Sequence, residues 1–130
     1  RTTILAYLQY LHEAKLIRLL YSDDLSVKKM QKPDKILMEN TNLLQALSLQ
    51  VPNIGTMRET FFCNQLGYTH QVEYNKRGDY LIDHKYVFEI GGKAKDGKQV
   101  ANMENAYIAS DECDYPIGNK LPLWLFGLMY

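Results

Sequence analysis

Cysteine is scarce in this chain: Cys63 and Cys113 are the two thiols in 130 residues. Their spacing fits no metal site, and two thiols make no disulfide framework, so both are expected to be reduced, as in an intracellular protein. A net charge is also lacking, since fifteen Lys and Arg balance fifteen Asp and Glu. That argues against a broad nonspecific DNA binder, which needs a basic footprint, and leaves room for a local basic patch. No apolar run is long enough to span a bilayer; the longest, "LPLWLFGLMY" at the C-terminal end, is too short. Neither a secretory leader nor a membrane partner is expected. A G-x-x-x-x-G-K-[ST] segment is missing, so nucleotide hydrolysis is not expected within this chain. There is no internal repeat and no low-complexity stretch. What remains is the composition of a folded protein, 46% hydrophobic and 23% charged, with the length of one domain or two very small ones. Its expected location is the cytoplasm. The chain opens on Arg1 with a helical pattern already under way, which suggests a piece of a longer protein.

The first third of the sequence predicts a helix, a strand, a polar loop and a returning strand. Thr2 or Thr3 can cap a helix whose apolar stripe is Ile4, Leu8 and Leu11, widened by Tyr7 and Ala14, ending near Lys15. "LIRLLY" (16–21) and "KILME" (35–39) read as strands, separated by the polar, Pro33-containing segment 22–34. A helix followed by a two-stranded ribbon matches the second half of a winged helix and equally a plain α-β-β unit. A short helix over 40–48 follows, capped by Asn40 or Thr41. The segment 49–55, punctuated by Pro52 and Gly55, is the linker candidate, with a boundary near residue 52. This divides the chain into an incomplete winged-helix-like segment, 1–51, and an α/β domain, 52–130.

The second segment reads α-β-β-β-α-β. A helix over 56–67 carries Met57, Phe61, Phe62 and Leu66 on its buried face and stops at Gly67. Strands follow at 70–74, 79–82 and 86–90. A basic loop over 93–99 leads into a short helix around 98–104. A buried strand spans 106–110, and a terminal helix or strand runs from Pro122.

"GDYLIDHKYVFEIGGK" (78–93) holds the chemistry. Along strands, side chains alternate faces. A three-residue loop at Asp83-His84-Lys85 makes Ile82 face Tyr86 and, counting outward, Asp79 face Glu89. Carboxylates so placed repel, and a divalent cation is the usual compensation. A two-residue loop would separate them. Alternatively, Asp79 is a strand-start residue and Glu89 a solvated one. Glu59 lies one turn into the preceding helix, where Thr56-Met57-Arg58-Glu59 also makes a capping box. Lys93, Lys95 and Lys98 form a basic cluster suited to a phosphate backbone. His12 reads as a helix-surface residue, His70 and His84 lack second ligands at useful spacing, Cys63 reads as core, and Gln99 as a polar helix start.

Glu59, Asp79, Glu89 and Lys93, in this order of elements, resemble the PD-(D/E)xK, restriction-endonuclease-like superfamily. That resemblance implies that Glu59, Asp79 and Glu89 bind Mg²⁺, with Asp79, Glu89 and Lys93 catalytic. The position two after Glu89 is Gly91 where the superfamily has lysine. More narrowly, "RTTILAYLQYLHEAKLIRLL", "KPDKILMENTNLLQAL", "NIGTMRETFFCNQL", "GDYLIDHKYVFEIGGK" and "GNKLPLWLFGLMY" are together similar to the C-terminal domain of bacterial AAA-type ATPases of a kind found in Bacteroidetes. The resemblance implies an α+β fold, a partial winged helix followed by an αβββαβ nuclease-like core. It also implies an upstream ATPase domain as partner and as the sole place for ATP. Two functions stay open: a noncatalytic or degenerate nuclease-like module serving that ATPase and docking nucleic acid such as DNA, and an active Mg²⁺-dependent nuclease.

Overall fold

In the computed structural model, residues 2–22 and 31–129 are described. The tip of the predicted 22–34 loop, residues 23–30, lies outside them, as do Arg1 and Tyr130. Helix α1 (Thr2–Glu13) runs into a two-stranded antiparallel ribbon of β1 (Ile17–Leu20) and β2 (Lys35–Met38). The turn between α1 and β1 is closed by Lys15 at φ 60°, with Lys15 N–H donating to the His12 carbonyl and Leu16 N–H to that of Leu11. This is a Schellman closure with lysine at the left-handed position that favours glycine. His12, expected on the helix surface, is half-buried with Nδ1 3.2 Å from the Ile17 carbonyl oxygen.

Short α2 (Thr41–Leu47) is capped by Asn40, whose side chain accepts from Leu43 N–H. Helix α3 (Ile54–Leu66) starts two residues before the predicted position because Asn53 caps it, accepting from Gly55 and Thr56 N–H. The expected capping box of Thr56 and Glu59 is therefore not the device that starts this helix, and Glu59 is free for other partners. Gly67 ends α3 in a right-handed conformation. The glycine is needed there for space: a Cβ would fall 2.0 Å from the Arg18 guanidinium, which is paired with Glu39 at 2.8 Å.

Five strands form the second sheet, in the order β3 (Val72–Tyr74), β4 (Tyr80–Ile82), β5 (Tyr86–Gly91), β6 (Ala106–Ser110), β7 (Lys120–Pro122). The first three are antiparallel, while β6 and β7 run parallel to β5. Parallel neighbours need a long crossover, usually helical. Here residues 92–105 cross over in turns, so the predicted helix around 98–104 is replaced by turn bonds such as Val100 N–H to the Gly97 carbonyl. Gly97 sits at φ 69°, and a Cβ there would fall 2.4 Å from Ile108 Cδ1. The fold is thus mixed α+β, with β7 an edge strand not expected from the sequence. A 3₁₀ turn over Leu123–Leu128 takes the place of a terminal helix or strand.

The sheet has an apolar cluster on each face. On one, Tyr80, Ile82, Phe88 and Ile90 pack with Phe62, Cys63 and Leu66 of α3 and with Phe126. Leu20 and Leu37 of the ribbon join this same cluster. On the other, Leu81 and Val87 pack with Val100, Ala106 and Ile108. The crossover segment therefore covers the face opposite α3, and this placement decides where the acids go.

Candidate functional site

The hairpin register places Ile82 opposite Tyr86 and Tyr80 opposite Phe88, through the three-residue loop expected at 83–85. Asp83 and His84 both have positive φ, 53° and 55°, which lets Lys85 N–H donate to the Ile82 carbonyl. One step beyond Tyr80 the chain turns. Asp79 N–H donates to the Phe88 carbonyl at 2.8 Å, and its carboxylate accepts from Ile90 N–H at 2.6 Å. The Asp79 side chain thus completes the β5 hydrogen bonding with one oxygen. Burial raises its pKa above the usual carboxylate value; the Ile90 amide opposes the rise and the nearby Glu59 charge adds to it.

Glu89 alternates with Phe88 and Ile90, so it points to the crossover face. Its side chain is only 2% exposed, and Oε1 lies 2.9 Å from Lys95 Nζ. Oε2 is buried with no hydrogen-bond partner among the described residues. Lys95 reaches Glu89 by laying its stem across Gly91, where an added Cβ would fall 2.8–2.9 Å from Lys95 Cδ, Cβ and Cγ. Lys120 Nζ holds the start of the crossover by donating to the carbonyls of Lys93 (2.8 Å) and Lys95 (3.3 Å). Hydrogen bonding to Glu89 is the main cause that raises the Lys95 pKa, burial opposes it, and the charges of Glu89 and Asp79 add to it.

Glu59 stands on the α3 side. Its Oε2 accepts from both Lys35 Nζ, at the start of β2, and the Tyr80 hydroxyl. Lys35 also lies over the Tyr80 ring, 5.5 Å from its centroid. Burial pushes the Tyr80 hydroxyl well above its ordinary pKa and the adjacent Cys63 thiol up to about 12, so both stay protonated.

Asp79 thus feels the charge of Glu59 from the α3 side and that of Lys95 from the crossover side, and each of the three acids has a partner of its own. Among the described residues no three His, Cys, Asp or Glu side chains are grouped to hold a metal ion. The expected Mg²⁺ ligands thus do not converge as a ligand set. The unpartnered Glu89 Oε2 alone has the character of an open ligand position. Lys93, the expected catalytic lysine, lies past the end of β5. Its exposed side chain lines a surface recess with Cys113, Tyr115 and Lys120. Lys98 is exposed and pairs with Asp96 at 3.0 Å. Of the three lysines expected to meet nucleic acid, two are paired with acids of the chain itself. Sequence reasoning did not assign Lys95 to Glu89 or Lys35 to Glu59. A glycine where a side chain was expected, four residues before a lysine, was the one available hint of the first pairing.

Among the described residues no helix is long and apolar enough to cross a membrane. No protein-family model matches the chain, and comparison with curated proteins and with solved structures likewise gives no match.

Proposed function

We propose that this chain is a noncatalytic, degenerate nuclease-like module that serves as an accessory domain of a cytoplasmic AAA-type ATPase. The observation that carries the reading is the internal pairing of its acids. Glu59 is held by Lys35 and Tyr80, Asp79 by the Ile90 amide, and Glu89 by Lys95. Carboxylates committed in this way hold strand ends and a crossover together, and they are not disposed as a hydrolytic centre would need them. The partial winged-helix ribbon would dock the ATPase, and the module would meet DNA through the few exposed lysines. A second reading, a Mg²⁺-dependent nuclease acting on phosphodiester bonds through Asp79, Glu89 and a lysine, is favoured by one observation: the buried, unpartnered Glu89 Oε2 beside the Lys95 ammonium.

The experiment is incubation of the purified chain with supercoiled plasmid in Mg²⁺ or Mn²⁺, beside an Asp79→Ala/Glu89→Ala control. The expected result is no nicking above the control. Nicking by the unaltered chain that the double substitution abolishes would overturn the reading in favour of the nuclease.

A further inference from the structure

We infer that Lys95 is a built-in cation for the buried Glu89 carboxylate: its ammonium, 2.9 Å from Oε1, stands where a divalent ion would stand, and a divalent-cation site opens there only when that ammonium is removed. The inference rests on the noncatalytic reading and gives it a physical cause.

Three observations carry it. First, Glu89 is one of the most deeply buried side chains of the fold, and an isolated carboxylate there would be very costly to desolvate. Lys95 answers it at 2.9 Å and also feels the charge of Asp79. Second, the lysine comes from the crossover and not from the strand, and Gly91 is what admits it. Any side chain at 91 would collide with the Lys95 stem before the ammonium reached the carboxylate. Third, Glu89 keeps one oxygen buried and unsatisfied. The ammonium engages one oxygen and leaves the other without a partner, whereas a divalent ion that keeps its waters can engage both. The charged groups acting at this point are Glu89 and Lys95, with Asp79 and Asp96 adding their charge to that of Glu89.

The test compares the unaltered chain with Lys95→Met, which keeps the apolar stem and deletes the charge, using Mn²⁺ as probe. Thermal midpoint and calorimetric titration are read for both. The unaltered chain is expected to show no Mn²⁺-dependent rise in midpoint. Lys95→Met is expected to melt several degrees lower without metal, to recover in millimolar Mn²⁺, and to titrate with one site per chain. Gly91→Ala, which retains the ammonium but obstructs its stem, should respond to Mn²⁺ to an intermediate degree. Lys95→Met/Glu89→Gln, with both charges gone, should regain the lost midpoint and lose the Mn²⁺ response; it keeps the test decisive if Lys95→Met alone folds poorly. Equal Mn²⁺ responses in the unaltered chain and Lys95→Met, or none in either, would overturn the inference. Plasmid nicking by the unaltered chain would instead overturn the noncatalytic reading on which it rests.

Discussion

Helices α1 and α3 are nearly equal in length, twelve and thirteen residues, and they teach opposite lessons. Helix α1 has the clear apolar periodicity, yet none of its residues is fully buried; Ile4 and Tyr7 are more than half exposed. Helix α3 shows no comparable stripe and buries Thr60, Phe62, Cys63, Asn64 and Leu66. The difference is one of surroundings. The first has a two-stranded ribbon beside it, while the second lies between a five-stranded sheet, the ribbon and the 3₁₀ turn. Asn64 enters that interior with a partner, donating to the Glu39 carbonyl at 2.9 Å, whereas the Thr60 hydroxyl is buried with none among the described residues.

The contrast can be broken most forcefully at Phe62, which has no exposure and packs its ring against Tyr80, Phe88 and Phe126. Phe62→Ala is expected to cost about 3–5 kcal/mol in denaturant unfolding, while Leu8→Ala on α1 should cost about 1 kcal/mol or less. Equal losses would mean that α1 is covered in solution by something absent from the described residues. Next in size is the Arg18–Glu39 pair, side chains 14% and 6% exposed, which lies within the ribbon segment, with the guanidinium against Gly67 at the end of α3. Glu39→Gln leaves a guanidinium buried without its counter-charge and should cost about 3 kcal/mol by the same measurement.

A finer comparison lies within the hairpin, where Asp79 and Asp83 stand at the two ends of β4 and shift in opposite directions. Burial raises the Asp79 pKa above its ordinary 3.8, so the folded chain holds that proton more tightly than the unfolded one. Its contribution therefore falls as pH rises from 3.8 through the raised value. Asp83 is lowered, first by its hydrogen bond to His70 and then by the Gln71 amide. Its contribution is present above 3.8 and lost as pH falls through the lowered value. Unfolding curves collected over about pH 2 to 6 should lose the descending limb in Asp79→Asn and the ascending limb in Asp83→Asn. The smallest effect is expected at the end of α1. Lys15→Gly should stabilise the chain by about 1 kcal/mol, because glycine takes φ 60° without strain.

These regions also show what the amino-acid pattern could disclose. The register of β4 on β5 was half legible: a three-residue loop was one of two alternatives, and the structure takes it, with Leu81 and Val87 on one face and Tyr80, Ile82 and Phe88 on the other. The pairing of Asp79 with Glu89 was read from that register, and Glu59 was added to them by the resemblance alone. Their counter-charges were not legible, since Lys35 and Lys95 arrive from a ribbon and a crossover whose paths no local rule determines. The missing helix at 98–104 failed for a different reason. Val100 and Met103 have helical spacing, but Gly97 in the left-handed region and its approach to Ile108 favour tight turns. Thr56 lost the capping role to Asn53 because both are good caps, and the earlier one lengthens the helix.

One small contact has a larger reach. Tyr74 N–H donates to the Tyr21 carbonyl at 2.9 Å, and Ser22 forms a parallel bridge to Tyr74, so the end of the ribbon lies along the outer edge of β3. An uncovered β-edge is a template for pairing with another molecule. The ribbon therefore acts as a guard on solubility. A chain trimmed to start after β2 would lose Leu20 and Leu37 from the core, bare that edge, and be expected to self-associate as concentration rises.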